Sequence, residues 1–134
     1  MRIRAILDTN LWISYLIGGE LRKLDELLSR TDLLLLFSIE LLQEFIEVAL
    51  RPKFKKYFSH DDLDELLDLF DEYVEHIEIK SQISLCRDPK DNFLLALAID
   101  GKADFLVTGD EDLLEMKTIG ETAIVTITEF FRMS

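Results

Sequence analysis

Side chains whose oxygen atoms can ligate a metal ion recur in this sequence where short apolar runs end. They are Asp8, Asn10, Ser38, Glu44, Asp88, Asp91, Thr108, Asp110 and Asp112. Carboxylate oxygens are the ligands that Mg²⁺ and Mn²⁺ prefer in proteins. Two carboxylates about 4 Å apart repel each other by about 4 kcal/mol at an effective dielectric constant of about 20, so a group of them requires a cation. The chemistry indicated is metal-dependent hydrolysis of a phosphodiester, in which the ion generates hydroxide and holds the phosphate.

The apolar pattern predicts the elements that must bring these side chains together. Short apolar runs predict strands at Ile3–Leu7, Leu33–Phe37, His76–Ile79, Phe105–Thr108 and Ala123–Thr126. Helices are predicted at Leu11–Leu16, Glu20–Arg30, Ile39–Leu50, from Ser59 to Val74, at Lys90–Gly101, and through Met133 after a cap at Thr126 or Thr128. Strands that alternate with helices indicate a parallel sheet covered on both faces. Its strands end at one edge, where ligands bind, and acidic residues follow four of those ends.

Each acidic residue also has a purely structural interpretation. Asp8 fits a turn after a strand, and Glu44 fits the solvated face of its helix. Asp88 precedes Pro89 and fits the N-cap of the following helix. The remaining three acids lie at helix starts, where the helix dipole stabilises any carboxylate: Asp91, Asp110 and Asp112. One such coincidence is common, but four at one sheet edge favour a shared site.

The composition indicates one compact domain over residues 1–134. The chain has 134 residues, of which 49% are hydrophobic and 31% charged, and this length suits a single hydrophobic core. No apolar run approaches the ~18 residues of a membrane span, and the first run is too short for a secretion signal. With Cys86 as the only cysteine, no intramolecular disulfide can form. We therefore expect a cytoplasmic protein without membrane association.

The charge balance argues against a broad electrostatic grip on nucleic acid. The chain has 15 Lys and Arg against 27 Asp and Glu, a net charge of −12, whereas such a grip comes from basic residues that neutralise phosphates. The candidate RNA contacts are Arg51, Lys53, Lys55 and Lys56, which alternate with Phe54, Tyr57 and Phe58, and Lys90 beside Asp91. We expect phosphate contacts and base stacking from these side chains. The alternative is a solvated connector whose aromatic rings pack on the core.

Four sequence blocks together resemble the PIN-domain family. They are Ile6-Leu7-Asp8-Thr9-Asn10, Leu42-Gln43-Glu44-Phe45, DPKDNFLLALA at residues 88–98 and LVTGDEDLL at residues 106–114. The resemblance spans nearly the whole chain and is strongest for the toxin components of bacterial and archaeal toxin–antitoxin pairs. It implies a three-layer α/β/α fold with a parallel sheet of about five strands in the order 3-2-1-4-5. That order would place Asp8 beside Asp110.

The resemblance also implies roles for individual residues. The catalytic acids of the family match Asp8, Glu44, Asp91 and Asp110, and Mg²⁺ or Mn²⁺ would be held by Asp8, Asp91 and Asp110. Polar residues that support such a site match Asn10, Ser38, Thr108 and Asp112. Most members are Mg²⁺- or Mn²⁺-dependent ribonucleases, often homodimers, and the toxins among them are silenced by a small antitoxin. The implied function is an endoribonuclease with RNA as substrate and an antitoxin as partner.

Three other functions share part of this pattern. A haloacid-dehalogenase-type phosphatase needs a second aspartate two residues after Asp8, where this chain has Asn10. A receiver domain needs a phospho-accepting aspartate after the third strand, where this chain has Lys80 and Ser81. The open alternative is a non-catalytic PIN-fold module that binds RNA or protein. The enzyme is favoured because a pure binder has no reason to keep four mutually repelling carboxylates.

Overall fold

The computed structural model describes residues 2–17, 26, 30–54, 56, 64, 67–68, 71, 74–85 and 89–133, without the side chains of residues 15–17 and 89–90. The predicted helices at residues 20–30 and 59–74 lie largely outside these ranges, as do Lys55, Cys86 and Asp88. Within the described ranges, no helix is both long and apolar enough to cross a lipid bilayer.

A mostly parallel sheet of six strands lies at the centre of the described residues. The strands are β1 (Ile3–Leu7), β2 (Leu33–Phe37), β3 (Val74–His76), β4 (Phe105–Val107), β5 (Thr118–Ile119) and β6 (Thr122–Val125). Their order is β3-β2-β1-β4-β6-β5, and only the pairing of β5 with β6 is antiparallel. The predicted α/β class and the order 3-2-1-4 are confirmed, with β6 as the predicted fifth strand. The two-residue β5 is an additional edge strand that turns into β6 through Gly120, whose φ is +56°.

The third strand begins two residues earlier than the apolar alternation predicts. Val74 pairs with Leu35 and His76 with Phe37, and the Ile77 amide donates one further hydrogen bond to the Phe37 carbonyl at 2.7 Å. After that bond the chain leaves the sheet, although its isoleucines still pack against the core. An apolar residue at every second position indicates that one side of an extended segment packs on the core. The pattern therefore does not distinguish a strand of the sheet from an extended segment beside the sheet.

The helices with defined bounds alternate with the strands. They are α1 (Thr9–Ile17), α2 (Ile39–Ala49), α3 (Pro89–Asp100), α4 (Glu111–Met116) and α5 (Ile127–Met133), with a 3₁₀ turn at Pro52–Phe54. Side-chain oxygens cap three of them: Ser38 Oγ accepts from the Leu41 amide, Asp110 Oδ1 from the Asp112 amide and Thr126 Oγ1 from the Glu129 amide. Such caps satisfy amides that a first helical turn leaves unpaired, and they fix where each helix begins.

Helices cover both faces of the sheet, as the predicted three-layer fold requires. Leu36 and Phe37 are neighbours in β2, so their side chains point to opposite faces. Trp12 of α1 packs on Phe37, with the two ring centroids 5.6 Å apart. Gly101, directly after α3, lies so near Leu36 that an added Cβ would stand 2.9 Å from its Cδ1 atom. The sheet therefore lies between α1 and α3, and both faces are buried.

The strand order reverses between β1 and β4, which lie side by side at the middle of the sheet. The Asp8 amide donates to the Val107 carbonyl and the Thr108 amide to the Val125 carbonyl, both at 3.0 Å. These bonds extend the sheet ladder to the residues that immediately follow β1 and β4. In open α/β sheets the crevice at such a reversal, outside the carboxyl ends of the strands, is the usual ligand site.

Candidate active site

Asp8 lies at the carboxyl end of β1 and is 7% exposed. Its Oδ2 atom accepts a hydrogen bond from Thr108 Oγ1 at 2.8 Å. Burial raises the pKa of Asp8 above the ordinary value of 3.8, and the charge of Asp110 raises it further, whereas hydrogen bonds from Thr108 and from the Asn10 and Thr9 amides lower it. The net shift is upward, so the surroundings favour the neutral form of this carboxyl group unless a positive charge lies nearby.

Asp110 is linked to Asp8 through the side chain of Thr108. Thr108 is fully buried, and its hydroxyl donates to Asp8 while accepting from the Asp110 amide at 3.1 Å. Asp110 also caps α4, because its Oδ1 atom accepts from the Asp112 amide at 2.8 Å. The structural interpretation of Asp110 as a cap is therefore confirmed, and it coexists with the predicted position beside Asp8. Asp8 and Asp110 therefore follow adjacent strands at the reversal of strand order and share Thr108 as a hydrogen-bond partner.

Glu44 reaches the same region from α2. Its Oε2 atom accepts a hydrogen bond from Thr9 Oγ1 at 3.1 Å, and Thr9 is the residue after Asp8. Glu44 is only partly exposed, so the solvated-face interpretation does not describe it. Thr9 has no assigned role in the sequence interpretation above. The signal that could have identified it is its place in the Asp-Thr-Asn block, directly after the acid at the end of β1.

Asp91 lies in the first turn of α3 and is partly buried. Because α3 precedes a parallel strand, it runs antiparallel to β4, and its first turn faces the carboxyl side of the sheet. Among the described residues, no group of three or more His, Cys, Asp or Glu side chains lies close enough to hold a metal ion. The structure joins Asp8 and Asp110 through Thr108. That Asp91 completes a set of metal ligands with them stays a prediction.

The remaining polar residues surround this pair in different ways. Ser38 is buried, and its hydroxyl is used to cap α2 by accepting from the Leu41 amide at 3.1 Å. Asn10 is exposed in the first turn of α1, and Asp112 is exposed in the first turn of α4. Ser38 and Thr108 thus hold backbone and side chains in place, while Asn10 and Asp112 present their side chains to solvent.

The basic residues lie at a distance from the acidic pair. Arg51, Lys53 and Lys56 are exposed after the end of α2, and Lys53 Nζ lies 4.9 Å from the centre of the Phe54 ring. Lys55 and the side chain of Lys90 lie outside the described residues. Arg51 follows Glu44 by seven residues, or about 10 Å along a helix axis. The basic side chains therefore lie at the far end of α2 and do not line the acidic pair itself.

The chemistry of the donors fits a hard divalent cation. Oxygen atoms are the only ligand type among Asp8, Asp110, Glu44 and Asp91, as Mg²⁺ or Mn²⁺ requires. The raised pKa of Asp8 has the same implication, since a cation beside the carboxylate would stabilise its ionised form.

Comparisons with known proteins agree with this architecture. The structure of VapBC2 from Rickettsia felis bound to a DNA fragment from their promoter contains a similar chain, with a TM-score of 0.58 and 17% sequence identity over 91% of this chain and 97% of that one. At that identity the likeness shows the fold alone. No curated protein matches the sequence. The family model described as a PIN domain matches residues 4–112, well over half of the chain, and the protein therefore belongs to the PIN-domain family.

Proposed function

We propose that this protein is an endoribonuclease that hydrolyses RNA phosphodiester bonds with Mg²⁺ or Mn²⁺. Asp8, Asp91 and Asp110 are the proposed metal ligands, and Glu44 is the fourth catalytic acid. The observation that carries the proposal is the buried carboxylate of Asp8, joined through the Thr108 hydroxyl to the backbone amide of Asp110. The charge of Asp110 makes ionisation of the buried Asp8 less favourable, and a divalent cation beside Asp8 would offset that penalty.

A bound divalent ion would supply a hydroxide nucleophile and neutralise charge on the phosphate. The protein's part is orientation and charge. Thr108 holds the Asp8 carboxylate in one direction by its hydrogen bond at 2.8 Å. The backbone amides of Thr9 and Asn10 hold the same carboxylate at the start of α1. Rigid placement of this kind is what a catalytic ion requires of its ligands.

RNA is the proposed substrate in spite of the net charge of −12. The exposed side chains of Arg51, Lys53 and Lys56 offer phosphate contacts, and Phe54 beside Lys53 offers an aromatic ring. Lys55 and Lys90 join this proposed surface from the sequence alone. Because Arg51, Lys53 and Lys56 follow the end of α2, about 10 Å or more from Glu44, they would hold the RNA strand beside the cleft, and the acidic residues would carry out cleavage.

The proposed biological role is the toxin of a toxin–antitoxin pair. The similar structure is named as a VapBC2 assembly, and the sequence resemblance is strongest for such toxins. A small antitoxin with a basic segment would suit an acidic chain, since its Arg or Lys side chains could neutralise the carboxylates. A homodimer and a cytoplasmic location belong to the same proposal.

A cleavage assay tests the proposed activity. The purified protein, free of any partner, is expected to cut single-stranded RNA with Mg²⁺ or Mn²⁺, and EDTA should abolish the reaction. Asp8→Asn should keep the circular dichroism spectrum and lose at least ~100-fold in rate, the scale for removal of one preorganised charged group. Millimolar Mn²⁺ should also raise the melting temperature of the wild type, because a ligand that binds only the folded state stabilises it.

Three outcomes would contradict the proposal or part of it. If the wild type cuts no RNA with either metal, the non-catalytic PIN-fold module becomes the better description. If Asp8→Asn cuts as fast as the wild type, the site is wrongly placed even though the activity exists. An unchanged melting temperature across millimolar Mn²⁺ would argue against a metal site of any kind at these acids.

A further inference from the structure

Thr9 is a buried residue whose hydroxyl is used for a contact between two helices. It is 1% exposed, it is the first residue of α1, and its Oγ1 atom donates to Glu44 Oε2 in α2 at 3.1 Å. A buried hydroxyl must find a hydrogen-bond partner. The partner of Thr9 is the carboxylate of Glu44, which is the fourth catalytic acid in the proposed function.

The start of α1 does not need the Thr9 hydroxyl. Asp8 precedes the helix, and its carbonyl accepts from the Leu11 amide at 3.0 Å and from the Trp12 amide at 3.3 Å. Asp8 therefore already provides the capping that a threonine near a helix start often supplies. The side chain of Thr9 is left for a contact between elements distant in sequence.

Glu44 needs such a contact if its carboxylate is to occupy one position. A glutamate side chain has three rotatable bonds and loses considerable rotamer freedom when it is fixed. A β-branched threonine at a buried position is far more restricted, because χ1 is its only torsion between heavy atoms. A hydrogen bond from Thr9 to an ionised carboxylate is also stronger than one between neutral groups. The rigid partner therefore fixes the flexible one.

We propose that Thr9 is a positioning residue that holds the Glu44 carboxylate at the start of α1, one residue after Asp8, and thereby raises the affinity of the acidic site for a divalent cation. This inference rests on the proposed function, since it gives Thr9 a role in the same site. Because Thr9 directly follows Asp8 in the chain, one short segment places two of the acids: Asp8 by its backbone and Glu44 by the neighbouring hydroxyl. Residues that orient ligands in this way affect metal affinity or activity by about 10–100-fold.

Thr9→Val is the central variant, because it removes the hydroxyl and keeps the β-branched shape. Its affinity for Mn²⁺, measured by isothermal titration calorimetry, is expected to fall about tenfold or more, with a parallel loss in RNA cleavage. Thr9→Ser keeps the donor and should restore most of the affinity. In a Glu44→Ala background, which removes the acceptor, Thr9→Val should cause little further loss, since the two residues act through one contact.

Thr122→Val provides a matched control. Thr122 is 2% exposed and is the first residue of β6, at the amino-terminal edge of the sheet, and its hydroxyl donates to the Ala103 carbonyl at 2.7 Å. The Thr122→Val variant should have a lower melting temperature, because a buried hydrogen bond is lost, but its affinity for Mn²⁺ should equal that of the wild type. If Thr9→Val does not fold, Thr9→Ala and Glu44→Gln are compared with Thr9→Ser by the same calorimetry.

The possible failures are distinguishable. If the wild type binds Mn²⁺ and a folded Thr9→Val variant binds it equally well, the role of Thr9 is wrong, but the proposed function is unaffected. A wild type that binds no Mn²⁺ and cuts no RNA overturns the proposed function and, with it, this role. A loss of affinity in Thr122→Val as large as in Thr9→Val would also overturn the role, because it would mean that general destabilisation causes the effect.

Discussion

At the scale of single residues, the site is built on one carboxyl group whose surroundings oppose its ionisation. Asp8 is buried, and burial together with the charge of Asp110 raises its pKa above the ordinary value of 3.8 in spite of its hydrogen bonds. A group in such a position reduces stability when it is ionised in the folded state. Perturbed carboxyl groups of this kind cluster at functional sites, because function and stability place opposite demands on them.

The raised pKa of Asp8 predicts how metal-free stability depends on pH. The folded state binds this proton more tightly than the unfolded chain, so the Asp8 contribution to stability falls as pH rises from about 3.8 through the raised pKa. Asp8→Asn lacks this effect and should become more stable relative to the wild type across that interval. Urea unfolding in EDTA at a series of pH values measures the difference.

The exposed Glu47 of α2 supplies the control for this experiment. Glu47→Gln changes one charge without burial, so its stability relative to the wild type should vary little over the same pH interval. If the stability difference between Asp8→Asn and the wild type does not change over this pH interval in EDTA, the hydrogen bonds of the ionised Asp8 offset its burial, and the prediction is wrong.

At the scale of elements, α3 is held along its length by the extended chain before it. The Asp100 carboxylate accepts from the Lys80 amide at 2.6 Å and from the Ser81 amide at 2.9 Å. Near the other end of the helix, Asn92 Oδ1 accepts from the Leu85 amide at 3.1 Å. The segment of residues 77–85 therefore runs antiparallel to α3 and fixes its position, including the first turn that carries Asp91.

Asp100→Asn is expected to weaken this attachment. Hydrogen bonds from Ser81, followed by the Lys80 amide, lower the pKa of Asp100. Its contribution to stability is therefore present above the ordinary value of 3.8 and lost as pH falls through the lowered pKa. The variant should lose about 1 kcal/mol at neutral pH, near the low end for a lost hydrogen-bond partner because the site is largely exposed. Denaturant unfolding at pH 7 and at pH 3 measures this.

Glu78→Gln is the control within the same segment, since Glu78 is exposed. It should unfold like the wild type at both pH values. If Asp100→Asn loses as much stability at pH 3 as at pH 7, the ionised carboxylate is not what holds the segment to the helix.

At the scale of the whole molecule, the candidate acidic site and the exposed basic side chains after α2 lie apart. Asp8 and Asp110 follow strands at the carboxyl edge of the sheet, whereas Arg51, Lys53 and Lys56 follow the far end of α2. With a net charge of −12, the protein repels RNA over most of its surface. Binding and cutting are therefore expected to depend on different residues.

Arg51→Ala and Lys53→Ala test this separation. Each should weaken RNA binding, because each removes one phosphate contact. The slope of the logarithm of the binding constant against the logarithm of the salt concentration should become shallower by about 1. Cleavage at saturating RNA should change much less. Filter binding at several salt concentrations and single-turnover cleavage measure the two effects. Lys117→Ala, in the exposed turn after α4, is the control, and an equal loss from it would mean that only the total charge matters.

Much of the fold follows from local patterns in the sequence. The strands β1, β2, β4 and β6 are apolar runs bounded by turn residues, and their alternation with helices requires a covered parallel sheet. Ser38 and Asp110 cap their helices as their position before apolar segments predicts. These features depend on neighbours within a few residues, so the sequence alone determines them. The sequence also predicts that Asp8 and Asp110 lie at the same edge of the sheet, because both follow strands that pair in parallel.

Only the tertiary structure decided the rest, because the contacts involved join residues far apart in the chain. β5 has two residues, too few for a periodic signal, and it exists through pairing with β6. The chain after β3 leaves the sheet where α3 binds it through Asp100. The bond from Thr9 to Glu44 spans 35 positions, and it depends on how α1 packs on α2. Packing sets such distances by the summed shapes of many side chains, and no local spacing in the sequence encodes that sum.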